Sequence, residues 1–356
     1  MRERRYFIVR SKSIHGGDIY RNPGVLDFSA NCNCFGMPAS VREAAMRGVQ
    51  CADVYPDPEW ETLREAIADY EGVKATQILC GNGASELLLA LAEALQPRHA
   101  LLVAPCFLEY ERVLAAVGTQ IEWQVLSEKD GYLPGTDFLD VLKKTDVDMV
   151  ILSNPNNPTG SLLSPQYVEQ IVALTRTRGI MLVMDECFLD FLEAPEQYSV
   201  KQYLDSDSHL IVLKAFTKTF ACAGLRIGYL LCADQEILCK CKRHLPEWNV
   251  SLPASYAGIA ATKERAWLRE TAERIRTERE WLRERLTELG YRVFPGAANF
   301  LFFTGKEGLY EHCLSHNILI RDCSNYRGLD AGAYRVCVRR REENERLLQA
   351  IRSGNA

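Results

Sequence analysis

The sequence predicts an α/β protein with a largely parallel central sheet, and three observations predict it. Short runs rich in Val, Ile and Leu recur along the chain: "HALLVAP", "VDMVILSNP", "GIMLVMDE", "HLIVLKAF" and "RIGYLLCA". Between them lie "SELLLALAEAL", "EYERVLAAVG" and "PQYVEQIVALTRTRG", which have helical period, several closing in Gly. The apolar runs are continuous rather than alternating, as strands are when helices cover both faces of their sheet. Strand–helix alternation of this kind argues α/β architecture. In such sheets the chemistry gathers at the carboxyl ends of the strands, so the polar residues just after each run are the candidates.

After about residue 250 the texture changes. "KERAWLRETAERIRTEREWLRERLTELG" places Leu268, Ala272, Ile275, Leu282, Leu286 and Leu289 at helical spacing among many Arg and Glu residues. This predicts a long amphipathic helix with a solvated charged face, stopped at Gly290. Beyond it, "NFLFFT", "ILIRDC" and "YRVCVR" predict a smaller α+β unit. The expected organisation is a large domain over 45–250. A small domain over 1–44 and 251–356, with an N-terminal arm, completes it.

Lys and Arg number 42 and Asp and Glu 47, a net charge of -5. That excludes a basic footprint for nucleic acid and a polybasic patch for a membrane surface. The opening "MRERRYFIVRSKS" has no apolar stretch of the kind a secretory leader needs. No run approaches the roughly 18 apolar residues of a membrane span. A cytoplasmic protein with no nucleic-acid or membrane partner is expected. The thirteen Cys residues include no C-x-x-C, and most sit in apolar context as reduced core thiols. "HCLSH" puts His312 and His316 one helical turn apart, and a solvated helix face is preferred there to a metal site.

Four strand ends carry suggestive groups. In "LCGNGASELLLAL" a Gly-rich turn over Gly81–Gly83 feeds a helix starting near Ala84. Free N–H groups there suit an anion, although a plain cap at Ser85 explains the turn equally well. In "LSNPNNPTG" the side chain of Asn157 either donates to a ligand oxygen or belongs to a rigid turn. Asp185 follows "MLVM", where an isolated carboxylate is costly unless paired. A protonated heterocycle nitrogen would suit it, and so would an Arg. Lys218 ends "HLIVLKAFTK", where desolvation would make it a carbonyl-binding amine. Arg226, eight residues on, has the planar fork that suits a phosphate. An amine, a carboxylate, an amide and a phosphate cradle, in this order, are the parts that pyridoxal phosphate needs.

On "NPNNPTG", "DE", "TK" and "GLRIGY" the chain resembles the class I/II aminotransferase superfamily of fold-type I pyridoxal-phosphate enzymes. The resemblance covers nearly the whole length. It implies that Lys218 binds the cofactor aldehyde, that Asp185 meets its ring nitrogen and that Asn157 meets its ring hydroxyl. It also implies that Phe107 stacks on the ring and that Gly83, Ala84, Ser85, Thr217 and Arg226 hold the phosphate. Tyr55, in "VYPD", matches a Tyr that reaches the cofactor of the partner subunit, which implies a homodimer.

Within the superfamily the two ends of the chain resemble the threonine-phosphate decarboxylases more than the histidinol-phosphate aminotransferases. "HGG" at 15–17, "LDFSANCNCFGMP" at 26–38 and "ILIRDCSNYRGLDAGAYRVCVR" at 318–339 carry that likeness. So does Phe188, where the aminotransferases commonly have Tyr. The implied substrate is a small phosphorylated amino acid, decarboxylated to aminopropanol phosphate for the cobalamin nucleotide loop. It would be gripped by His15, Gly16, Asn31, Asn157, Arg321 and Arg335. The alternatives are an aminotransferase and a decarboxylase of a related substrate such as phosphoserine. Read from the residues alone, Arg321 and Arg335 are also explained by ion pairs within the small domain, and His15 by a mobile N-terminal residue. Three positions depart from the family pattern. Ala215 replaces a hydroxyl residue, which is expected to remove one phosphate contact and weaken cofactor retention. Cys32 and Cys34 replace larger apolar residues and Pro, which is expected to widen the pocket or alter selectivity, for instance toward phosphoserine. A regulator carrying this fold beside a helix-turn-helix domain is disfavoured by the acidic charge and by the fewer than about 30 residues before the first motif.

Overall fold

The computed structural model describes residues 15–354; "MRERRYFIVRSKS", read above for a leader, lies outside them. After a short strand β1 (Leu26–Asp27) come β2 (Ile78–Gly81), β3 (His99–Ala104), β4 (Gln120–Val125), β5 (Met149–Ser153), β6 (Met181–Asp185), β7 (Leu210–Ala215) and β8 (Gly228–Cys232). The last seven form one sheet in the order β2-β8-β7-β6-β5-β3-β4. β8 runs antiparallel to both of its neighbours, and β4, β3, β5, β6 and β7 pair in parallel. Every residue of β5, β7 and β8 is buried, as their unbroken apolar runs predict.

The edge strand β4 was not anticipated, because its exposure alternates and Gln, Glu and Trp interrupt any apolar run; β2, whose end was read in "LCGNG", has only four residues. The anticipated helices form over Ala84–Leu95, Leu108–Ala116 and Pro165–Arg178. The last of these starts where the Ser164 hydroxyl accepts from the Tyr167 N–H with Pro165 in the first turn, and it stops at Gly179.

The helix Arg265–Glu288 buries Leu268, Ala272, Ile275, Leu282 and Leu286 along one side. Leu289 follows it, and Gly290 turns with φ +85°. Beyond lie β9 (Arg292–Val293), β10 (Phe300–Thr304), β11 (Ile318–Leu319), β12 (Arg321–Asp322) and β13 (Ala333–Cys337). A four-stranded antiparallel sheet has the order β12-β13-β10-β9, and β1 pairs in parallel with β11. The N-terminal segment is thereby laid on the C-terminal unit. One apolar cluster surrounds the large sheet, and a second gathers Phe28, Ile275, Phe300, Val336 and Leu347. Phe188 and Phe191, from the turn after β6, belong to the second cluster and tie it to the large sheet.

No helix among the described residues is long and apolar enough to cross a membrane. All thirteen cysteines are free thiols. His312 Nε2 lies 2.8 Å from the Ala350 carbonyl, and no cluster of three metal-ligating side chains occurs among the described residues.

Successive strand residues face opposite sides of a sheet, so the neighbours of the candidate site residues point away from it. Lys214 of β7 lies in a buried ion network, 2.9 Å from Glu71 and 3.0 Å from Asp190. Lys201 meets Glu71 at 2.8 Å, and the Tyr229 hydroxyl donates to it. Burial works against the Glu71 charge, but Lys214 and Lys201 outweigh it and hold its pKa at about 2. Glu186, the neighbour of Asp185, accepts from Ser199 Oγ at 2.7 Å and the Val200 N–H at 2.8 Å. Burial outweighs these contacts and pushes its pKa up to about 7 from an ordinary 4.5. A carboxyl with a raised folded pKa stabilises the fold most below its unfolded pKa, and that contribution is lost as pH rises through the folded value. Glu186→Gln keeps an acceptor and cannot ionise. In urea unfolding, the stability of the variant relative to the wild type is expected to rise between pH 5 and pH 7.5, and a constant difference would refute this.

Candidate active site

A cleft of about 350 Å³ opens at the carboxyl ends of β5, β6 and β7. Its floor and walls bring together twelve of the residues singled out from the sequence. Ala84, Ser85, Phe107, Asn157, Asp185, Thr217, Lys218 and Arg226 come from the large sheet and its loops. His15, Gly16, Asn31 and Arg335 come from the two ends of the chain.

Asp185 ends β6. Its Oδ2 accepts from the Tyr110 hydroxyl at 2.7 Å and its Oδ1 from the Cys187 N–H at 2.9 Å. Burial raises its pKa above the ordinary carboxylate value, and the two hydrogen bonds oppose the rise. Among the described residues no Lys or Arg forms an ion pair with it, so the Arg salt bridge considered from the sequence is not formed.

At the edge of the cleft the helix Ala84–Leu95 begins after Gly83, whose φ is +83°. A Cβ on Gly83 would lie 2.6 Å from Arg226 Nη2, and one on Gly228 would lie 2.6 Å from the Ala84 nitrogen. Only glycine lets Arg226 and strand β8 close in on that helix start. The cap is Gly83 rather than Ser85, and no side chain caps the helix, so its first N–H groups are not taken up by one. Ala215 lines the same wall, so the hydroxyl expected there is absent.

Arg335 is 5% exposed and lies in β13. Its Nη1 donates to Asn157 Oδ1 and its Nη2 donates to the Ser29 carbonyl at 2.7 Å. Its Nε is buried without a hydrogen-bond partner, as is Asn31 Oδ1. The guanidinium therefore joins three segments and forms no ion pair with a carboxylate among the described residues, contrary to the alternative weighed for it. His15 Nε2 lies 2.8 Å from Glu109 Oε1.

Three expected residues do not line the cleft: Gly83, which caps the helix start at its edge, Arg321 and Tyr55. Arg321 pairs with Arg335 across β12 and β13, and its Nη1 and Nη2 donate to the Asp322 carbonyl and to Asn325 Oδ1, each at 2.7 Å. Tyr55 is 76% exposed and stacks on Trp248, with ring centroids 4.4 Å apart. Nor do Cys32 and Cys34 line the cleft. Cys34 packs against the second apolar cluster and the Cys32 carbonyl accepts from Cys337 Sγ, so the widening expected from them does not arise.

Sequence reading missed Tyr110, Glu109 and Asn33. Tyr110 and Glu109 sit in the first turn of a helix already recognised, where they look like ordinary amphipathic residues. Asn33 is buried; its N–H donates to the Lys218 carbonyl at 2.9 Å and its side chain to the Thr219 carbonyl and Thr271 Oγ1. It clamps the N-terminal segment onto the turn that carries Lys218. The repeated Asn of "NCNC" was the available signal.

The chain matches the family model described as aminotransferase class I and II over residues 23–351. It is 37% identical to the threonine-phosphate decarboxylase of Salmonella typhimurium, covering 96% of both chains. A solved histidinol-phosphate aminotransferase from Clostridium acetobutylicum is 31% identical, with a TM-score of 0.86 over 93% of this chain and 100% of that one. The histidinol-phosphate aminotransferase of Sinorhizobium meliloti, solved in complex with pyridoxal-5'-phosphate, is 22% identical, with a TM-score of 0.84 over 99% of each chain. The chain belongs to the aminotransferase class I and II family. It is a pyridoxal-phosphate-dependent enzyme with the family's large, mostly parallel sheet flanked by helices.

The residues present fit that cofactor. A shielded carboxylate without a cation, Asp185, suits a protonated ring nitrogen. The glycine-permitted approach of Arg226 to an uncapped helix start suits a phosphate. Lys218 supplies the one Lys amine among the residues lining the cleft. Tyr110→Phe removes a hydrogen bond to a charged group, worth about 1.5–3 kcal/mol. Cofactor affinity, read by absorbance titration of the apoprotein, is expected to fall by about tenfold or more. In Lys218→Ala the absorbance band of the covalently held cofactor is expected to vanish.

Proposed function

We propose that this enzyme removes carbon dioxide from O-phospho-L-threonine and releases (R)-1-amino-2-propanol phosphate, a unit of the cobalamin nucleotide loop. The observation that carries the reading is Arg335: a buried guanidinium with no carboxylate partner among the described residues, opening on the same cleft as Lys218 and Asp185. A substrate carboxylate would complete it. Further support comes from the decarboxylase relative at 37% identity and from Phe188, which packs edge-on against Phe300 beside the cleft and offers no hydroxyl to it.

When bound, pyridoxal phosphate accepts the electrons of the bond that breaks at the carbon bearing the amino group. Which bond breaks depends on which one the protein holds perpendicular to the ring, so the grip on the substrate selects the reaction. In this reading Arg335, oriented by Asn157 and the Ser29 carbonyl, holds the carboxylate. His15, Gly16 and Asn31 hold the phosphate end, and Arg321 joins them by leaving Asn325. Asp185 keeps the ring nitrogen protonated, Asn157 meets the ring hydroxyl and Phe107 covers the ring face. Gly83, Ala84, Ser85, Thr217 and Arg226 hold the cofactor phosphate. Lys218 Nζ returns a proton to the carbon that carbon dioxide leaves.

Histidinol-phosphate-type transamination is the second reading, favoured by the solved aminotransferase at TM-score 0.86. The two separate on one assay with the holoenzyme and a panel of phosphorylated amino acids. Carbon dioxide release from phosphothreonine, exceeding that from phosphoserine, is expected. Turnover that requires an added 2-oxoacid as amino acceptor, converting it to its amino acid without carbon dioxide release, would overturn the decarboxylase reading.

We further propose a homodimer in which Tyr55 reaches the partner's cofactor. Met46 and Val49 are each 61% exposed on the helix Ala39–Gln50, close in sequence to the exposed Val54 and Tyr55. Apolar side chains grouped this way on a surface mark an interface. Mixing Lys218→Ala with Tyr55→Ala, both expected to be impaired alone, is expected to give activity above the sum of the two, because heterodimers hold one intact site. No recovery in a verified mixed dimer would place Tyr55 outside the site.

A further inference from the structure

With Asp185, Glu109 supplies the acidic side chains that line the cleft among the described residues. Its side chain is 8% exposed and is taken up on both oxygens. Oε1 lies 2.8 Å from His15 Nε2; Oε2 accepts from Arg112 Nε at 2.7 Å and also from Arg112 Nη2. An ionised carboxylate only accepts, so His15 Nε2 must carry the proton it donates. The His15 ring is tilted at 47° to Phe107, with centroids 5.8 Å apart.

The arrangement follows from helical spacing. Glu109 and Arg112 are three residues apart on the helix Leu108–Ala116 and share a face. Tyr110, between them, turns to Asp185. Within one turn and a half, the helix addresses both the carboxylate at the floor of the cleft and the histidine from the N-terminal segment. An uncompensated carboxylate in a cleft for a phosphorylated substrate would repel it. Here Arg112 offsets the charge, and the side chain that Glu109 presents to the cleft is a fixed imidazole.

We propose that Glu109, braced by Arg112, is a positioning residue that fixes His15 at the phosphate end of the substrate and so sets the preference for phosphorylated over unphosphorylated amino acids. This rests on the reading that the enzyme takes a phosphorylated amino acid.

The test measures kcat and KM of the holoenzyme for O-phosphothreonine and for threonine in the wild type, Glu109→Ala, Glu109→Gln, His15→Ala and the double variant His15→Ala/Glu109→Ala. Loss of an oriented charged contact is expected to raise KM for phosphothreonine about tenfold or more in Glu109→Ala, with kcat changed far less and the cofactor absorbance band and Tm unchanged. Threonine kinetics are expected to stay as they are, so the preference collapses. Glu109→Gln, which keeps an acceptor for Nε2–H, is expected to retain most of the preference. The double variant is expected to be no worse than His15→Ala. Additive losses in the double variant, a loss confined to kcat, or an unchanged preference in both Glu109 variants would each overturn the proposal. If the wild type itself shows no preference for phosphothreonine, the functional reading fails instead.

Discussion

Asp185 places a carboxyl group at the end of β6, where burial disfavours its charge and, among the described residues, no Lys or Arg pairs with it. Desolvating a carboxylate costs several kcal/mol, and hydrogen bonds to a charged group return roughly 1.5–3 kcal/mol each. The contacts from Tyr110 and Cys187 therefore go far toward offsetting the cost without removing the demand for a positive partner. A pyridine nitrogen kept protonated meets that demand. The rest of the cleft is arranged around the ring this implies: Lys218 on the neighbouring strand's exit, the helix start at Ala84 with Arg226, and Asn157 on the exit of β5.

The two-residue period of strands gives the sheet a second function. Asp185 and Ala215 face the cleft, while Lys214 enters a buried ion network with Glu71, Asp190 and Lys201 and Glu186 bonds to Ser199 and Val200 beside it. Asp190 follows Phe188, which packs on Phe300, and the Arg335 guanidinium lies 5.5 Å from that ring. The network thus anchors the turn that links the cofactor side of the cleft to the side built by the chain's ends. A buried network of this kind is costly unless every member is satisfied, and here each named member has at least one partner.

Arg335 joins Asn157 and Ser29, and Asn33 clamps the N-terminal segment to the turn of Lys218. Segments from both ends of the chain are thereby drawn onto strand exits in its middle. In the proposed reading the strand exits hold the cofactor and the converging ends grip the substrate, a division that would let related chains share one cofactor and differ in reaction.

The apolar runs of β5, β7 and β8 and the polar residues at their ends were legible because a fully buried strand must be continuous and its exit must be polar. Lys218, Asp185, Asn157 and Arg226 were found that way. The edge strand β4 was not, since a half-exposed strand does not have to be continuously apolar. Tyr110, Glu109 and Asn33 were invisible for a different reason: each acts on a residue distant in sequence, and nothing in its local pattern separates it from a helix face or a turn. By itself the sequence determined the architecture and the family and pointed to groups suited to pyridoxal phosphate, because these depend on local periodicity and on residue types at strand ends. Only the tertiary structure decided that Arg335 bonds to Asn157 and to no carboxylate, that Arg321 and Tyr55 stand apart from the cleft, and that Glu109 holds His15. These are pairings between distant segments, and they exist only once the fold has brought their partners within hydrogen-bond reach.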